Sequence, residues 1–546
     1  MANQSLTDKL AEIHRQEEEI STKSLAQKLN LPYLDLFGLP IDPDGLKILP
    51  EETAKKAGLI IVRKQGKKLE IALSDIKNKE AKETLASLQA KGFSYFLFLV
   101  SSSSIKDALP HYQEINFTEE KKSGQVEISA ETVSQVQGEV SGFENIKEKI
   151  SQVPTGKISD LLEIIIGSAL KIDASDVHFE PKEDGAVLKY RLDGILHEIS
   201  ILPLKTFALV LSRIKILSEI KLNIKAIAQD GRFTIKLPSS NIEIRVSIIP
   251  GTFGENIVLR ILNPKTIALN LENLGFRPEE LELLEKEIHK PNGLIITTGP
   301  TGSGKTTTLY AFIKKVMRPE IKIITLEDPV EYRLPGITQT QVESEAGYTF
   351  GNGLRAILRQ DPDVILVGEI RDSETAKTAI NASLTGHLVF STLHTNDAAG
   401  AIPRLIDLGA DLGSLSSSLN LIMAQRLVRR LCPDCRKEYK PDKEILEKIE
   451  KELEGVAHSP VEKTVFYKPA GCSLCNHTGY KGRIGILELI PIDPEFEKLI
   501  ASKPTHADIV EFVKKKKIIT MYQDALLKTL AGVTTLEEIN RVIEES

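Results

Sequence analysis

Gly299-Pro-Thr-Gly-Ser-Gly-Lys305-Thr306 satisfies the pattern G-x-x-x-x-G-K-[ST] at every position, and its flanks are those the pattern needs. Leu294-Ile-Ile-Thr297 reads as a short buried strand, and Thr307-Thr-Leu-Tyr-Ala-Phe-Ile-Lys-Lys-Val-Met317 as the helix that follows. In that setting the glycines let the backbone wrap a phosphate with successive N–H groups turned inward, and the helix N-terminus adds partial positive charge. Gly299, Pro300, Thr301, Gly302, Ser303, Gly304 and Thr307 form the expected cradle. Lys305 reaches the β- and γ-phosphates, and the Thr306 hydroxyl holds Mg²⁺. A chance Gly-rich turn has no reason to bring strand, loop, Lys-Thr and helix in this order, so the stretch predicts a bound nucleotide.

Beyond the loop, strands alternate with helices, the pattern of a parallel sheet with crossovers. Lys322-Ile-Ile-Thr-Leu326 ends in Glu327-Asp328-Pro329-Val330-Glu331, and Asp363-Val-Ile-Leu-Val-Gly368 ends in Glu369-Ile-Arg371-Asp372. His387-Leu-Val-Phe-Ser-Thr-Leu-His394 carries a histidine at each end. Strand ends are where ligands bind in open α/β sheets. ATP hydrolysis needs Mg²⁺ held, a water aligned on the γ-phosphate and developing charge neutralised. Glu369 stands where a Mg²⁺-holding acid is expected. Glu327 is the better candidate for polarising the attacking water, with Asp328 assisting, although spacing alone leaves the base open between Glu327 and Glu369. The plain alternative for either carboxylate is a helix cap or a solvated surface. His387 and His394 are candidates for sensing the γ-phosphate, weighed against structural roles.

The four cysteines of the chain lie between Cys432 and Cys475. Cys432-Pro-Asp-Cys435 and Cys472-Ser-Leu-Cys475 are two C-x-x-C knuckles, which together supply a closed tetrahedral S₄ set suited to structural Zn²⁺. The segment between them is longer than in a compact zinc ribbon, and a redox pair or buried thiols are the alternatives.

With 546 residues, three or four domains are expected. Residues 1–110 read as a small α/β module, with a helix at Ser24–Leu29, a helix from Pro50, strands at Gly58–Val62 and Lys68–Leu73, a helix over 79–90 and a buried strand at Phe93–Val100. Residues 111–156, rich in Glu, Lys, Ser, Gln and Gly, read as a linker holding at most a short helix. Residues 157–265 read as a second α/β module, with helices at Ile158–Ile172 and Thr206–Ser218. Its strands are expected at Asp176–Glu180, Ala186–Arg191, Gly231–Leu237 and Ile242–Ile248. Arg232, Arg245 and Arg260 sit on or beside these strands; alone, each reads as a solvated surface arginine. Residues 266–546 form the P-loop domain, with the cysteine segment at 426–490. The fold class is thus α/β and multidomain: a RecA-like core with a parallel sheet, preceded by smaller α/β domains.

Net charge is −6, so no overall basic field points to nucleic acid. Lys514-Lys-Lys-Lys517 reads as a solvated helix face. No apolar signal-peptide core is seen in Met1–Glu19, and no apolar run is long enough to span a bilayer. The expected place is the cytoplasm.

Taken together the motifs resemble the secretion ATPases of the type II secretion and type IV pilus superfamily, densely from about Ile158 to the C-terminus and more weakly before it. Ala174-Ser-Asp-Val-His-Phe-Glu-Pro181, Tyr190-Arg-Leu-Asp-Gly194 and Gln229-Asp-Gly-Arg232 look like that family's second domain. Glu327–Glu331 looks like its Asp box, Leu358–Asp372 like its Walker B segment, Gly386–Asn396 like its His box, and Gln425–Cys432 like the lead into its tetracysteine segment. The resemblance implies a homohexamer whose ATP lies between the second and P-loop domains, with Arg232 and Arg245 reaching the phosphates and Arg260 matching less well. It implies a motor, recruited to the inner face of the cytoplasmic membrane, that acts on an inner-membrane platform protein to add pilins to a filament. The ring would touch the membrane through partners alone.

By the same resemblance, the long N-terminal module and the tetracysteine segment favour assembly or secretion over retraction. A type II secretion motor is the nearest alternative, and a nucleic-acid motor or a non-hydrolysing regulatory ATP-binding protein the alternatives of another class. Some relatives bind cyclic di-GMP through an Arg-Leu-Gly motif; the region around Arg15-Gln-Glu-Glu-Glu19 lacks it, so that ligand is not expected. At Ala226-Ile-Ala-Gln229 the proline usual before Gln-Asp-Gly-Arg is also missing, which predicts a local loop change only.

Overall fold

The computed structural model describes residues 2–29, 31–36, 41–46, 48–112, 136, 139, 140, 142–154, 157–237, 241–264 and 270–543. Two compact units divide the chain: residues 1–123 with 221–224, and residues 124–220 with 225–546.

In the first unit, strands β1 (Leu59–Gln65), β2 (Lys68–Leu73) and β3 (Ser94–Leu99) form a sheet in that order, antiparallel then parallel. Gly66, at φ 60°, turns β1 into β2. Helices Glu51–Ala57 and Lys79–Ala90 stand where the sequence predicts them, and helix Ser102–Ala108 was not expected; the Asn78 side chain caps the second by accepting from the Glu80 and Ala81 N–H groups. The apolar run Phe93–Val100, expected to be buried, is instead an outer strand with Phe96 58% exposed. An apolar run broken only by Ser94 does not reveal that one of its faces is left uncovered.

The second unit carries two large sheets and a small two-stranded one. In the first, β4 (Asp176–Pro181), β5 (Ala186–Leu192), β6 (Ile195–Leu202), β7 (Gln229–Lys236), β8 (Asn241–Gly251) and β9 (Gly254–Leu262) are antiparallel in the order β6-β5-β4-β9-β8-β7. Strands β6 and β9 were not anticipated. Helices Ile158–Lys171 and Leu204–Leu217 share a core with this sheet. Helix Phe143–Gln152 falls inside the stretch read as a linker, yet its Ile146 and Ile150 are buried in the same core. Most of that stretch, 113–135 included, lies outside the described residues.

The second sheet holds seven strands: β10 (Gly293–Thr298), β11 (Ile323–Glu327), β12 (Thr338–Gln341), β13 (Val364–Val367), β14 (Leu388–Leu393), β15 (Leu419–Leu431) and, after a small pair β16 (Lys437–Tyr439) and β17 (Phe466–Lys468), β18 (Tyr480–Pro491). Their order is β12-β11-β13-β14-β10-β15-β18, all parallel except the last pair. Strands β10, β11, β13 and β14 are buried at every position, as a parallel sheet covered on both faces requires. Because they run the same way, Gly299, Glu327, Glu369 and His394 fall on one edge. No helix among the described residues is long and apolar enough to cross a membrane.

Candidate nucleotide site and metal centre

The loop after β10 is wound by three glycines at positive φ: Gly299 at 148°, Gly302 at 81° and Gly304 at 93°. Space as well as φ excludes side chains at two of them. A Cβ on Gly299 would stand 2.4 Å from the Gln425 carbonyl oxygen, and one on Gly304 2.8 Å from the Gln425 amide nitrogen. Around Gly302 nothing lies within 4 Å. The loop is therefore seated on Gln425 below and open above. Lys305 opens the helix Lys305–Val316, and its Nζ donates to the Gly299 and Pro300 carbonyls at 2.7 and 3.1 Å. Burial lowers the Lys305 pKa, and the Glu369 carboxylate opposes that shift. The Ser303 hydroxyl is buried with no hydrogen-bond partner. A glycine-wound loop open on one side, a half-buried lysine curled onto it and an orphaned hydroxyl fit a phosphate group. Thr306 stands half-buried in the first helical turn, in position to offer Mg²⁺ an oxygen.

At the neighbouring strand ends the two carboxylates differ. Glu327 is 4% exposed and takes hydrogen bonds from the Tyr310 hydroxyl at 2.5 Å, the Thr325 hydroxyl at 2.5 Å and the Gln339 amide at 3.1 Å. Glu369 stands 2.6 Å from the Arg371 guanidinium and 3.3 Å from His394 Nε2. Asp328 is exposed at the start of a cis peptide to Pro329. His387 is not brought to this edge. It precedes β14 while His394 follows it, and its Nδ1 lies 3.0 Å from the Ala382 carbonyl oxygen at the far end of the strand.

The second-domain arginines are set in a row by strand register. Asp176 on β4 pairs with Arg191 on β5 and Arg260 on β9, Arg260 with Arg245 on β8, and Arg245 with Arg232 on β7. Cross-strand partners share a face, so four guanidinium groups and one carboxylate line that face. Asp176 bridges Arg191 and Arg260 at 3.4 and 3.0 Å. Arg245 reaches off the sheet and donates to the Val330 carbonyl of the P-loop domain at 2.5 Å. Burial raises the pKa of half-buried Glu331 next to it, while Arg245 and Arg260 pull it down.

The four cysteines converge. Cys432 and Cys472 Sγ are 3.9 Å apart, Cys435 and Cys475 3.8 Å, and Cys472 and Cys475 3.7 Å. Tetrahedral zinc with Zn–S bonds of about 2.3 Å requires sulfur separations of about 3.8 Å, so the cluster could hold such an ion. Burial pushes the Cys432 thiol up to about 12. Burial also resists ionisation at Cys475, but the Cys472 and Gly479 N–H groups donate to its sulfur and bring it to about 7. A bound dication supplies the charge that makes all four thiolates at neutral pH.

Three side chains beside the site were not singled out from sequence: Tyr310, Gln339 and Gln425. Each lies inside a motif's flank, and each is tied to the site by a contact across the fold that no local pattern announces.

A family model described as "Type II/IV secretion system protein" matches residues 151–541, and one described as "MshEN domain" matches residues 29–116. The "Type IV pilus assembly ATPase PilB" of Thermus thermophilus is 37% identical over 537 residues, 98% of this chain; the match spans 58% of that protein's length. The "Type II secretion system protein E" of Dickeya dadantii is 46% identical over 385 residues, 70% of this chain and 75% of that protein. The solved structure of the Yersinia pseudotuberculosis ATPase DotB shares the fold at a TM-score of 0.52, with 20% identity over 72% of this chain and 96% of that one.

Proposed function

Because the chain belongs to the type II/IV secretion system protein family, we infer that it is an ATPase of the cytoplasm whose turnover drives assembly of a type IV pilus. The observation that carries this reading is the meeting of Lys305, Glu327, Glu369 and His394 on one sheet edge, with Arg245 arriving from the second domain at Val330. Lys305 and the loop N–H groups bind the phosphates. Thr306 and Glu369 would hold Mg²⁺, which would supply positive charge to offset that of the phosphates. Glu327, fixed by its three donors, keeps acceptor capacity for the hydrogen of a water, whose oxygen bonds to the γ-phosphorus as the bridging P–O bond breaks. His394 orients Glu369; His387 stays outside the site and steadies its strand.

Arg232 and Arg245 neutralise the γ-phosphate and let ATP draw the second domain onto the core. A structural Zn²⁺ on Cys432, Cys435, Cys472 and Cys475 closes the insertion. As in the family it resembles, the ring is six-membered, works on a platform protein in the inner membrane and meets the membrane through that partner.

The likeness over nearly the whole chain to a pilus assembly ATPase supports the pilus reading. Type II secretion proteins, one 46% identical over 70% of this chain and that of Aeromonas hydrophila 38% identical over 92% of it, keep that machine as the second reading. Replacing Glu327 with Gln in the source organism, with protein level checked, separates them. Loss of surface pili with normal export supports the first; loss of export with pili intact supports the second. The same variant, purified, is expected to bind ATP and not turn it over. If neither pili nor export changes, the machine assignment fails.

A further inference from the structure

Glu327 is held by three elements. Thr325 belongs to its own strand β11. Gln339 lies on β12, and its amide nitrogen is shared between Glu327 Oε1 and the Tyr332 carbonyl at 2.9 Å, while its amide oxygen accepts from the Leu334 N–H at 2.7 Å. The amide cannot flip without losing these bonds. Tyr310 comes from a different part of the site: the helix Lys305–Val316, which begins at the lysine of the phosphate loop.

Tyr310 is 2% exposed, and its ring stands edge-on to Tyr332 at 6.5 Å. Its hydroxyl donates to Glu327 Oε2. Burial and the neighbouring Glu327 both raise the Tyr310 pKa, so the donor proton stays in place at any working pH. A carboxylate offers about four acceptor sites, and three are taken.

We propose that Tyr310 is a positioning residue for hydrolysis: it fixes the Glu327 carboxylate so that its remaining acceptor site is held for the attacking water, and it ties that carboxylate to the helix that grips the phosphates. The proposal rests on the ATPase reading of this site, and it assigns to Tyr310 a role exerted through Glu327. Movement of the P-loop helix when phosphate enters is transmitted to Glu327 through one bond. Without the hydroxyl, Oε2 loses the donor that aims it, and the water is no longer held in line.

The test is steady-state turnover of full-length Tyr310→Phe, which keeps the ring and removes the bond. Wild-type turnover, measured alongside, checks the ATPase reading by itself. Loss of a hydrogen bond to a charged group predicts a fall in kcat of about tenfold or more. KM for ATP and the affinity for a fluorescent ADP analogue should stay within about twofold of wild type. A purely structural tyrosine would not produce that split.

Thermal melting of Tyr310→Phe, Glu327→Gln and the double variant supplies a second readout that needs no activity. If the bond is the role, the amide relieves the carboxylate left without its donor, and the double variant is less destabilised than the sum of the singles. Unchanged kcat in Tyr310→Phe, a fall in kcat matched by weaker ADP binding, or additive melting losses would each overturn the proposal.

Discussion

Glu488 on β18 is 7% exposed and faces charged groups from several elements. The Met521 N–H donates to it at 3.2 Å, and the Ala398 N–H stabilises its charge. Asp397 lies near, itself 2.9 Å from His506 Nε2. Burial dominates and lifts the Glu488 carboxyl to about 7, with the Asp397 charge adding to the rise and the N–H groups and His506 opposing it. The folded pKa is above the unfolded one, so the unfolded chain gives up its proton first as pH rises. Stability from this group is present below about pH 4.5 and is lost between there and about pH 7, by about 3 kcal/mol at most. Glu488→Gln should therefore shift the urea midpoint up at pH 8 more than at pH 5. Equal shifts at both pH values would show that Glu488 ionises freely. None of this was legible in the sequence, where Glu488 is one carboxylate among 76 acidic residues. The phosphate loop was legible because its chemistry is contained in eight consecutive residues. Tyr310, Gln339 and Gln425 were not, because their partners are brought to them only by folding.

At the scale of elements, β15 and β18 form a ribbon that serves two sites. They pair from Leu421 with Pro491 to Leu431 with Tyr480. Midway along it Gln425 underlies the phosphate loop and accepts from the Thr308 hydroxyl at 2.8 Å. At its end Cys432 follows directly on β15 and stands among the four sulfurs. Cys472→Ser should abolish bound zinc and raise amide exchange across the knuckles, β16 and β17. Nucleotide affinity should stay within about twofold, since Gln425 lies several residue pairs inside the ribbon, where pairing does not depend on the metal. Zinc retained at one ion per chain in the variant, or an equal loss of nucleotide affinity, would contradict that division. The cysteine spacing was readable because a ligand set repeats as two C-x-x-C knuckles. The strands were read unevenly. Strand β8 alternates regularly between buried and half-buried positions and was recovered. Strand β6 does not alternate regularly, and β3 shows a continuous apolar run while exposing Phe96. Pattern reports the solvent contrast between two faces, and where that contrast is weak the element has no signature.

Across the second unit as a whole, the six-stranded and seven-stranded sheets meet through a few polar contacts. The Gly482 N–H donates to Asp193 Oδ2 at 3.0 Å, and Arg245 donates to Val330. Val330 sits between Glu327 and Glu331, so the arginine proposed to meet the γ-phosphate rests on the same loop as the carboxylate proposed for hydrolysis. A phosphate is a stronger partner for a guanidinium than a peptide carbonyl, and ATP can take Arg245 from Val330 and pull the six-stranded sheet with it. ADP lacks the group that would do so.

Arg245→Ala should therefore leave ADP affinity within about twofold and lower kcat by roughly a hundredfold. It should also abolish an ATP-dependent change in the distance between dyes placed on β7 and on helix His506–Lys515. A variant that still hydrolyses ATP at the wild-type rate would remove Arg245 from the reaction. One that loses turnover yet keeps the distance change would separate charge neutralisation from domain closure, and the pull would then belong to Arg232 and Arg260, its neighbours in the row.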